Sequence, residues 1–440
     1  MKGTWLKQAG RSLVFDPTTR GWLQLLAGIA GRVGLSFLTG ILVVRALGPA
    51  DFGVYSLLMA VMGLAGVIFD FGLTEAAVKA IAARWSENPA AARWQAQNFF
   101  WLRLSLAAIG LALGLALAQP ISTYLLNLPG QSLLFGLALL GAGATVLSGS
   151  MNALLQATNH FGRLSAVLMG SSAVGLGLAG LLFLASRLNL LTALIGLGAG
   201  TALVGFAIGW WLLPQALSAD ASSPLGWPGG QTLLTESPAL LRFGRWLWLA
   251  NIFKVLIAYL DMFLLNLWLA PAAVGFYALA LGLAGRVEMV NHSLYTVLIS
   301  TASALKSRSD LERYLRQGWI RSGVISLMLL LLLPLATWFI PFFYGATFTG
   351  AVGLFQLLLG VVIFDIITLP VLLLIYTFDR PDLAAWAEGV RVVTLLLLGL
   401  WLIPILGPVG AVVAKLGAKV VGVGLTVGLL LKHYGQISHD

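Results

Sequence analysis

The sequence contains no cysteine, and charged residues fill only 10% of its 440 positions. The first absence removes disulfides and thiol chemistry and says little about compartment. The second is more restrictive. A soluble domain carries about 25% charged residues, so this chain cannot cover a water-facing surface. Also missing is the alternation of apolar and polar residues over about ten positions that marks a membrane barrel. No Gly-rich loop with a following Lys-Ser or Lys-Thr occurs, so ATP hydrolysis is not expected of this chain. What the sequence has instead is apolar length: 59% of its residues are hydrophobic and its mean hydropathy is +0.94. Unbroken runs such as LMLLLLLPLATWFI (327–340) recur from one end to the other, each near the roughly 20 residues that cross a bilayer. The expected class is an all-α, polytopic integral membrane protein.

Twelve spans can be laid along the chain: 21–44, 53–72, 98–118, 131–158, 163–185, 189–213, 244–269, 274–300, 318–341, 351–377, 382–405 and 408–431. Between the sixth and seventh lies the one long stretch rich in Ser, Pro and Gly, which reads as a linker. The expected organisation is an N-terminal segment (1–20), a six-helix bundle (21–213), a linker (214–243), a second six-helix bundle (244–431) and a tail (432–440). About 20 mixed residues precede the first run, and no A-x-A site follows a short apolar core. The first span is therefore expected to act as its own insertion signal.

Charge assigns the sides. Lys2, Lys7, Arg11 and Arg20 precede span one, Lys79, Arg84 and Arg93 follow span two, and Arg242 and Arg245 end the linker. Lys306, Arg308, Arg313 and Arg316 follow span eight. The alternate loops 119–130, 270–273, 341–350 and 405–408 hold no Lys or Arg, leaving Arg45 and Arg187 on that face. By the positive-inside rule both termini are expected in the cytoplasm. The net charge of +10 is then mostly a topology signal, and no nucleic-acid partner is expected.

A short phrase is written twice. VRALGPADFGVYSL (44–57) and NLWLAPAAVGFYAL (266–279) share Pro, Ala, Gly, Tyr and Leu in one order, at a constant offset of 222 (271 − 49). The offset also matches Val33 to Val255, Leu38 to Leu260, Gly63 to Gly285 and Thr74 to Thr296. This collinearity points to duplication of a six-span unit. Two such units in the same orientation form the parallel-repeat plan of many transporters, whose substrate site lies between the repeats near the midplane.

Ionisable residues deep in a membrane are expensive and are functional candidates by default. The cations are Arg32, Lys254, Arg286, Arg391, Lys415 and Lys419, and the acids are Asp261, Glu288, Asp365 and Glu388. The offset carries Arg32 onto Lys254, each midway along its span. One reading places Arg32, Lys254, Arg286, Lys419 and Arg391 around a central cavity that attracts an anionic group, since guanidinium and ammonium suit phosphate. The other neutralises them internally: Lys254 and Asp261 share a helical face at seven residues, and Glu388 and Arg391 can pair at i, i+3. Asp261, Glu288 and Asp365 are candidates for coupling to H⁺ or Na⁺, and no other cofactor or metal is expected. Arg103 and Arg321 lie near span ends, where snorkelling would account for them. Thr145, Ser148, Ser150, Asn152 and Gln156 on span four would either line a polar cavity or bond between helices.

LVVRALGPADFGVYSLLMAVMGLAGVIFDFGLTEAAVKAIA (42–82), with Arg45 to Tyr55 and then Asp70 to Leu73, resembles the opening spans of the oligosaccharide flippases of the MATE-like superfamily. LLQATNHFGRLS (154–165) is similar to that family's short turn between spans four and five. The resemblance implies a V-shaped pair of pseudo-symmetric bundles in the cytoplasmic (inner) membrane. It implies a flippase rather than an enzyme, moving a polyprenyl-diphosphate-linked glycan, an O-antigen, capsule or exopolysaccharide unit, to the outer leaflet by alternating access. Other polysaccharide assembly proteins are the further partners it implies. Two alternatives remain: an ion-coupled exporter of small molecules on the same fold, and a membrane glycan polymerase or ligase. The exporter would favour acidic and aromatic groups at depth. The polymerase or ligase would carry a sizeable outer loop.

Overall fold

The computed structural model describes residues 17–213, 225–226, 230–302, 308–374 and 381–437. Most of the N-terminal segment, much of the linker, Lys306 and the last three residues of the tail lie outside the described residues. Among the described residues all regular structure is helical. The helices are α1 (Pro17–Asp70), α2 (Leu73–Trp85), α3 (Pro89–Ala116), α4 (Ser132–Ala157), α5 (Phe161–Leu184) and α6 (190–212, with a π-helical stretch at Leu194–Gly200). They continue with α7 (Gly230–Trp268), α8 (Pro271–Ala302), α9 (Arg308–Leu330), α10 (Leu332–Tyr344), α11 (Gly350–Leu372), α12 (Pro381–Leu406) and α13 (Pro408–Ile437).

Ten of these helices are long and apolar enough to cross a membrane, and α9 with α10, bent by 42° at Leu331, makes an eleventh. α1 covers the first two predicted spans, because it is interrupted at Gly48, where φ is +68°. Glycine reaches that conformation without a Cβ clash, and Pro49, lacking an N–H, starts the next helical stretch as an N1 residue does. Each of the twelve predicted spans thus falls on helix over most of its described residues. The α9–α10 bend falls beside Pro334, whose missing N–H breaks the hydrogen-bond ladder in the first turn of α10.

Local structure departs from the sequence map in three places. α2 occupies what reads as loop after span two, and a left-handed break at Phe71 (φ 51°) and Gly72 (φ 69°) separates it from α1. Residues 230–243, read as linker, begin α7. Helical turns also fill Ala118–Pro120 and Ile121–Leu125 in the predicted loop 119–130.

The chain divides into two compact units, residues Met1–Ala46 with Leu58–Ile252, and Leu47–Leu57 with Phe253–Asp440. The first unit has its core where α2, α3, α4 and α5 converge, around Ile81, Phe99, Met151, Leu154 and Val167. Ala92 and Ala96, four residues apart and fully buried, give α3 a smooth face for close helix contact. Asn88 starts that helix by accepting the Ala91 N–H at 3.0 Å, with Pro89 at N1, a favourable cap. The start of α7 also belongs to this unit and passes the Phe71–Gly72 break at backbone distance. A Cβ on Gly72 would collide with the Gly244 carbonyl. Between α4 and α5, Thr158 donates to the Leu154 carbonyl at 2.9 Å and bonds His160 Nδ1 at 3.0 Å. Burial, together with Arg163 nearby, pushes the His160 imidazole below its ordinary value.

In the second unit α11 is well enclosed, burying Leu354, Leu358, Leu359, Val361, Val362 and Ile366. α12 and α13 form a hairpin turned at Gly407 (φ 60°) and packed through Leu395, Ala414 and Ala418. The two copies of the repeated phrase also meet in this unit, and they do so reciprocally. A Cβ on Gly53 would strike the Pro271 carbonyl, and one on Gly275 would strike the Pro49 carbonyl. Large apolar side chains stay outside: Leu181, Leu331 and Trp401 are each at least 65% exposed. Water would penalise that arrangement, whereas lipid tails are as apolar as the side chains themselves.

Candidate functional site

The span acids of the second unit fall into two ion-paired groups. In the first, Asp261 on α7 is fully enclosed. Its Oδ2 accepts from Lys415 Nζ of α13 at 2.6 Å and from the Tyr277 hydroxyl of α8 at 2.5 Å. Its Oδ1 accepts the Met262 N–H at 2.9 Å. The helical spacing that relates Asp261 to Lys254 is real, yet the carboxylate is paired to Lys415, and Lys254 is exposed.

The second group lines a cavity of about 270 Å³ in the same unit. Lys419, one turn beyond Lys415 on α13, bonds Asp365 of α11 and lies 4.0 Å from Glu288 of α8. Arg391 bonds Glu388 within α12 at 2.7 Å. Asn291 Oδ1 and Arg391 Nε, both buried, have no hydrogen-bond partner among the described residues. An orphaned acceptor and an orphaned donor on one cavity wall mark places where water or a ligand would be satisfied. The cavity gathers five of the sequence candidates: Lys419, Arg391, Glu288, Asp365 and Glu388. Its charged lining is three carboxylates against two cations. Taken alone, this pocket favours a cation or a proton over a phosphate.

The remaining cations are placed differently. Arg286 is part-buried, and its guanidinium donates to the Gly282 carbonyl at 3.0 Å. Arg32 and Lys254 are both exposed on their helices, and among the described residues neither has an ion-pair partner. A cation midway along an apolar span, exposed and without a carboxylate, has no structural duty that accounts for its cost.

The expectation that Arg103 snorkels requires correction. It is only 5% exposed, and its guanidinium bonds Asp70 at 2.7 Å and the Ser150 hydroxyl at 3.0 Å. The break at Phe71–Gly72 ends α1 beside α3, so Asp70 lies within reach of Arg103. Thr74, at the start of α2, adds a hydroxyl bond to Asp70 at 2.6 Å. The sequence signal for this pair was the Asp-x-Gly-Leu segment, which marks the break without naming the partner. Ser150 spends its own hydroxyl hydrogen on the Val146 carbonyl at 3.0 Å, so it serves helix contact.

Comparison with known proteins agrees with this architecture. The model of the family described as polysaccharide biosynthesis protein matches residues 18–306. Among solved structures, the lipid II flippase MurJ in an inward closed conformation is 13% identical, with 94% of this chain and 90% of that chain covered and a TM-score of 0.70. An inward-facing multidrug resistance MATE transporter is 15% identical, covering 92% of this chain and 94% of that one, with a TM-score of 0.64. A eukaryotic MATE transporter is 14% identical over 94% and 96%, with a TM-score of 0.57. No curated protein matches. At these identities the likeness is one of fold, a membrane-transporter fold shared by flippases and drug exporters. The family match spans well over half of the chain, and the protein belongs to the polysaccharide biosynthesis protein family.

Proposed function

We propose that this protein is a flippase for a polyprenyl-diphosphate-linked oligosaccharide, moving it from the cytoplasmic to the outer leaflet by alternating access. The observation that carries the reading is the pair Arg32 and Lys254. They stand at repeat-equivalent positions, mid-span, exposed, and without an ion-pair partner among the described residues. A diphosphate crossing a bilayer needs fixed positive charge along its path, and these two side chains are free to supply it. Guanidinium offers a planar fork to the phosphate oxygens and ammonium a compact point charge. Arg286 is a third contributor, its guanidinium hinged on the Gly282 carbonyl. The polyprenyl chain stays in lipid throughout, so only the head group has to be sheltered.

The acidic cavity fits a separate duty. Glu288, with its side chain half exposed and Lys419 4.0 Å away, is placed to take up a proton or Na⁺ and so loosen the Lys419 network during a cycle. That division gives Lys419 and Arg391 a coupling role beside the acids rather than a direct hold on phosphate. The polysaccharide description of the family supports this reading over a drug exporter, and the fold shared with the lipid II flippase is compatible with it.

The test uses cells lacking the gene and complemented with variants. Deletion is expected to accumulate complete lipid-linked repeat units on the cytoplasmic face of the membrane. Wild-type protein should clear them. Arg32→Gln combined with Lys254→Gln should leave at least a tenfold excess, with the protein inserted and folded. Export at wild-type level by that double variant removes the cationic-path assignment. Accumulation on the outer face in the deletion strain would instead identify a polymerase or ligase.

A further inference from the structure

The first unit holds a second cavity, of about 290 Å³, that the proposed phosphate path and the coupling cavity do not use. Its wall combines Asp70, Thr74, Glu75, Arg103, Trp248 and Asn251. We propose that this cavity is a carbohydrate subsite, binding one sugar residue of the translocated glycan. This rests on the glycan-flippase reading and adds to it a place for the sugar.

The ligand class follows by elimination and by fit. Phosphate is disfavoured, since Asp70 and Glu75 place two carboxylates on the wall against the single guanidinium of Arg103. A bare cation is disfavoured too, because both carboxylates are already engaged. Asp70 accepts from Arg103 at 2.7 Å and from Thr74 at 2.6 Å, and Glu75 accepts from the Asn251 amide at 3.0 Å. What remains is a neutral ligand rich in hydroxyls. Carboxylates, an amide and a guanidinium present acceptors and donors in planar pairs, which suits neighbouring hydroxyls on a sugar ring. Arg103 Nε, buried and without a partner among the described residues, leaves one donor unused.

The other surface of a sugar is its apolar C–H face, and the cavity has an aromatic wall to meet it. Trp248 is fixed in place, stacked on Phe71 with ring centroids 5.4 Å apart and planes 10° from parallel. Its indole N–H donates to the Ile68 carbonyl at 3.2 Å. A rigid aromatic side chain gives contact area at little entropic cost on binding. Gly63, where an added Cβ would meet nothing within 4 Å, keeps the floor open. A volume near 290 Å³ sits at the small end of ligand pockets, roughly 300–1,000 Å³. That leaves room for a sugar residue and none for a polyprenyl chain.

The experiment uses the full chain, purified in detergent, titrated with methyl glycosides of glucose, galactose and mannose and with N-acetylglucosamine. Binding is followed by ligand-observed NMR. At least one sugar should bind saturably. Trp248→Ala and Asn251→Ala should each weaken it at least fivefold, with Trp248→Tyr retaining most of the affinity. If no sugar saturates, or if the Asn251→Ala protein, whose change lies at the cavity edge, binds like wild type, the subsite is wrong. Binding of inorganic phosphate or Na⁺ with the same dependence on Asn251 would also overturn it. Reconstituted transport of a lipid-linked repeat unit separates the two proposals. The subsite variants should raise the half-saturating substrate concentration while leaving the maximal rate close to wild type. Unaltered transport in both variants sinks the subsite alone. Saturable sugar binding by a wild-type protein that moves no lipid-linked glycan sinks the flippase reading and leaves the subsite standing.

Discussion

Asp261 shows what a buried charge demands of its neighbours. Its carboxylate is sealed from solvent and held by Lys415, Tyr277 and its own helix's Met262 N–H. Removing one partner of such a pair leaves an uncompensated buried charge, which costs about 3–5 kcal/mol. Lys415→Met should therefore lower the unfolding temperature in detergent sharply. Asp261→Leu added to Lys415→Met should recover most of the loss, because a matched apolar pair carries no desolvation cost. A Lys415→Met protein that melts with wild type would show that the pair contributes nothing. The partner was not legible in the sequence. Spacing suggests Lys254, seven residues away, whereas the actual cation is 154 positions away on α13. Arg103 makes the same point. Its position near a span end reads as snorkelling, and only the fold of the Phe71–Gly72 break brings Asp70 to it. Sequence reports how deep a charge lies. Which acid it meets depends on which helices become neighbours.

Among the elements, the spans were legible because their signal is local: a bilayer-length apolar run needs no partner to be recognised. The start of α7 was not legible, since Gly230 and Pro238 in a Ser-, Pro- and Gly-rich stretch argue for loop. α2 was hidden because the Phe71–Gly72 break reads as a helix end and gives no hint that the helix resumes. The repeated turns carry a prediction of their own. Gly53 and Gly275 each face a backbone carbonyl that cannot move aside as a flexible side chain would. Overpacking typically costs about 1–3 kcal/mol, so Gly53→Ala and Gly275→Ala should each lower the unfolding temperature. Gly285→Ala, where nothing lies within 4 Å, should not. Equal melting of all three would remove the contact from the account.

For the whole molecule, the paired acids and cations explain how a chain so short of charge still buries several. Arg103, Arg391, Lys415 and Lys419 each have a carboxylate partner, which leaves Arg32 and Lys254 conspicuous. The natural absence of cysteine makes topology directly testable. Single cysteines placed at Pro129 and Thr347, both exposed, should be labelled by a membrane-impermeant thiol reagent added from outside the cell. One placed at Glu87 should be labelled only after permeabilisation. The opposite pattern would invert the proposed direction of transport.

The meeting of the two repeated turns has a consequence for descent. Each turn offers its glycine to the other's proline carbonyl, the self-complementary arrangement that two identical chains make across a dyad. An ancestor carrying a single copy of the phrase could have made this contact with a second molecule of itself. Fusion would then have preserved a contact already in use and released the two copies from identity.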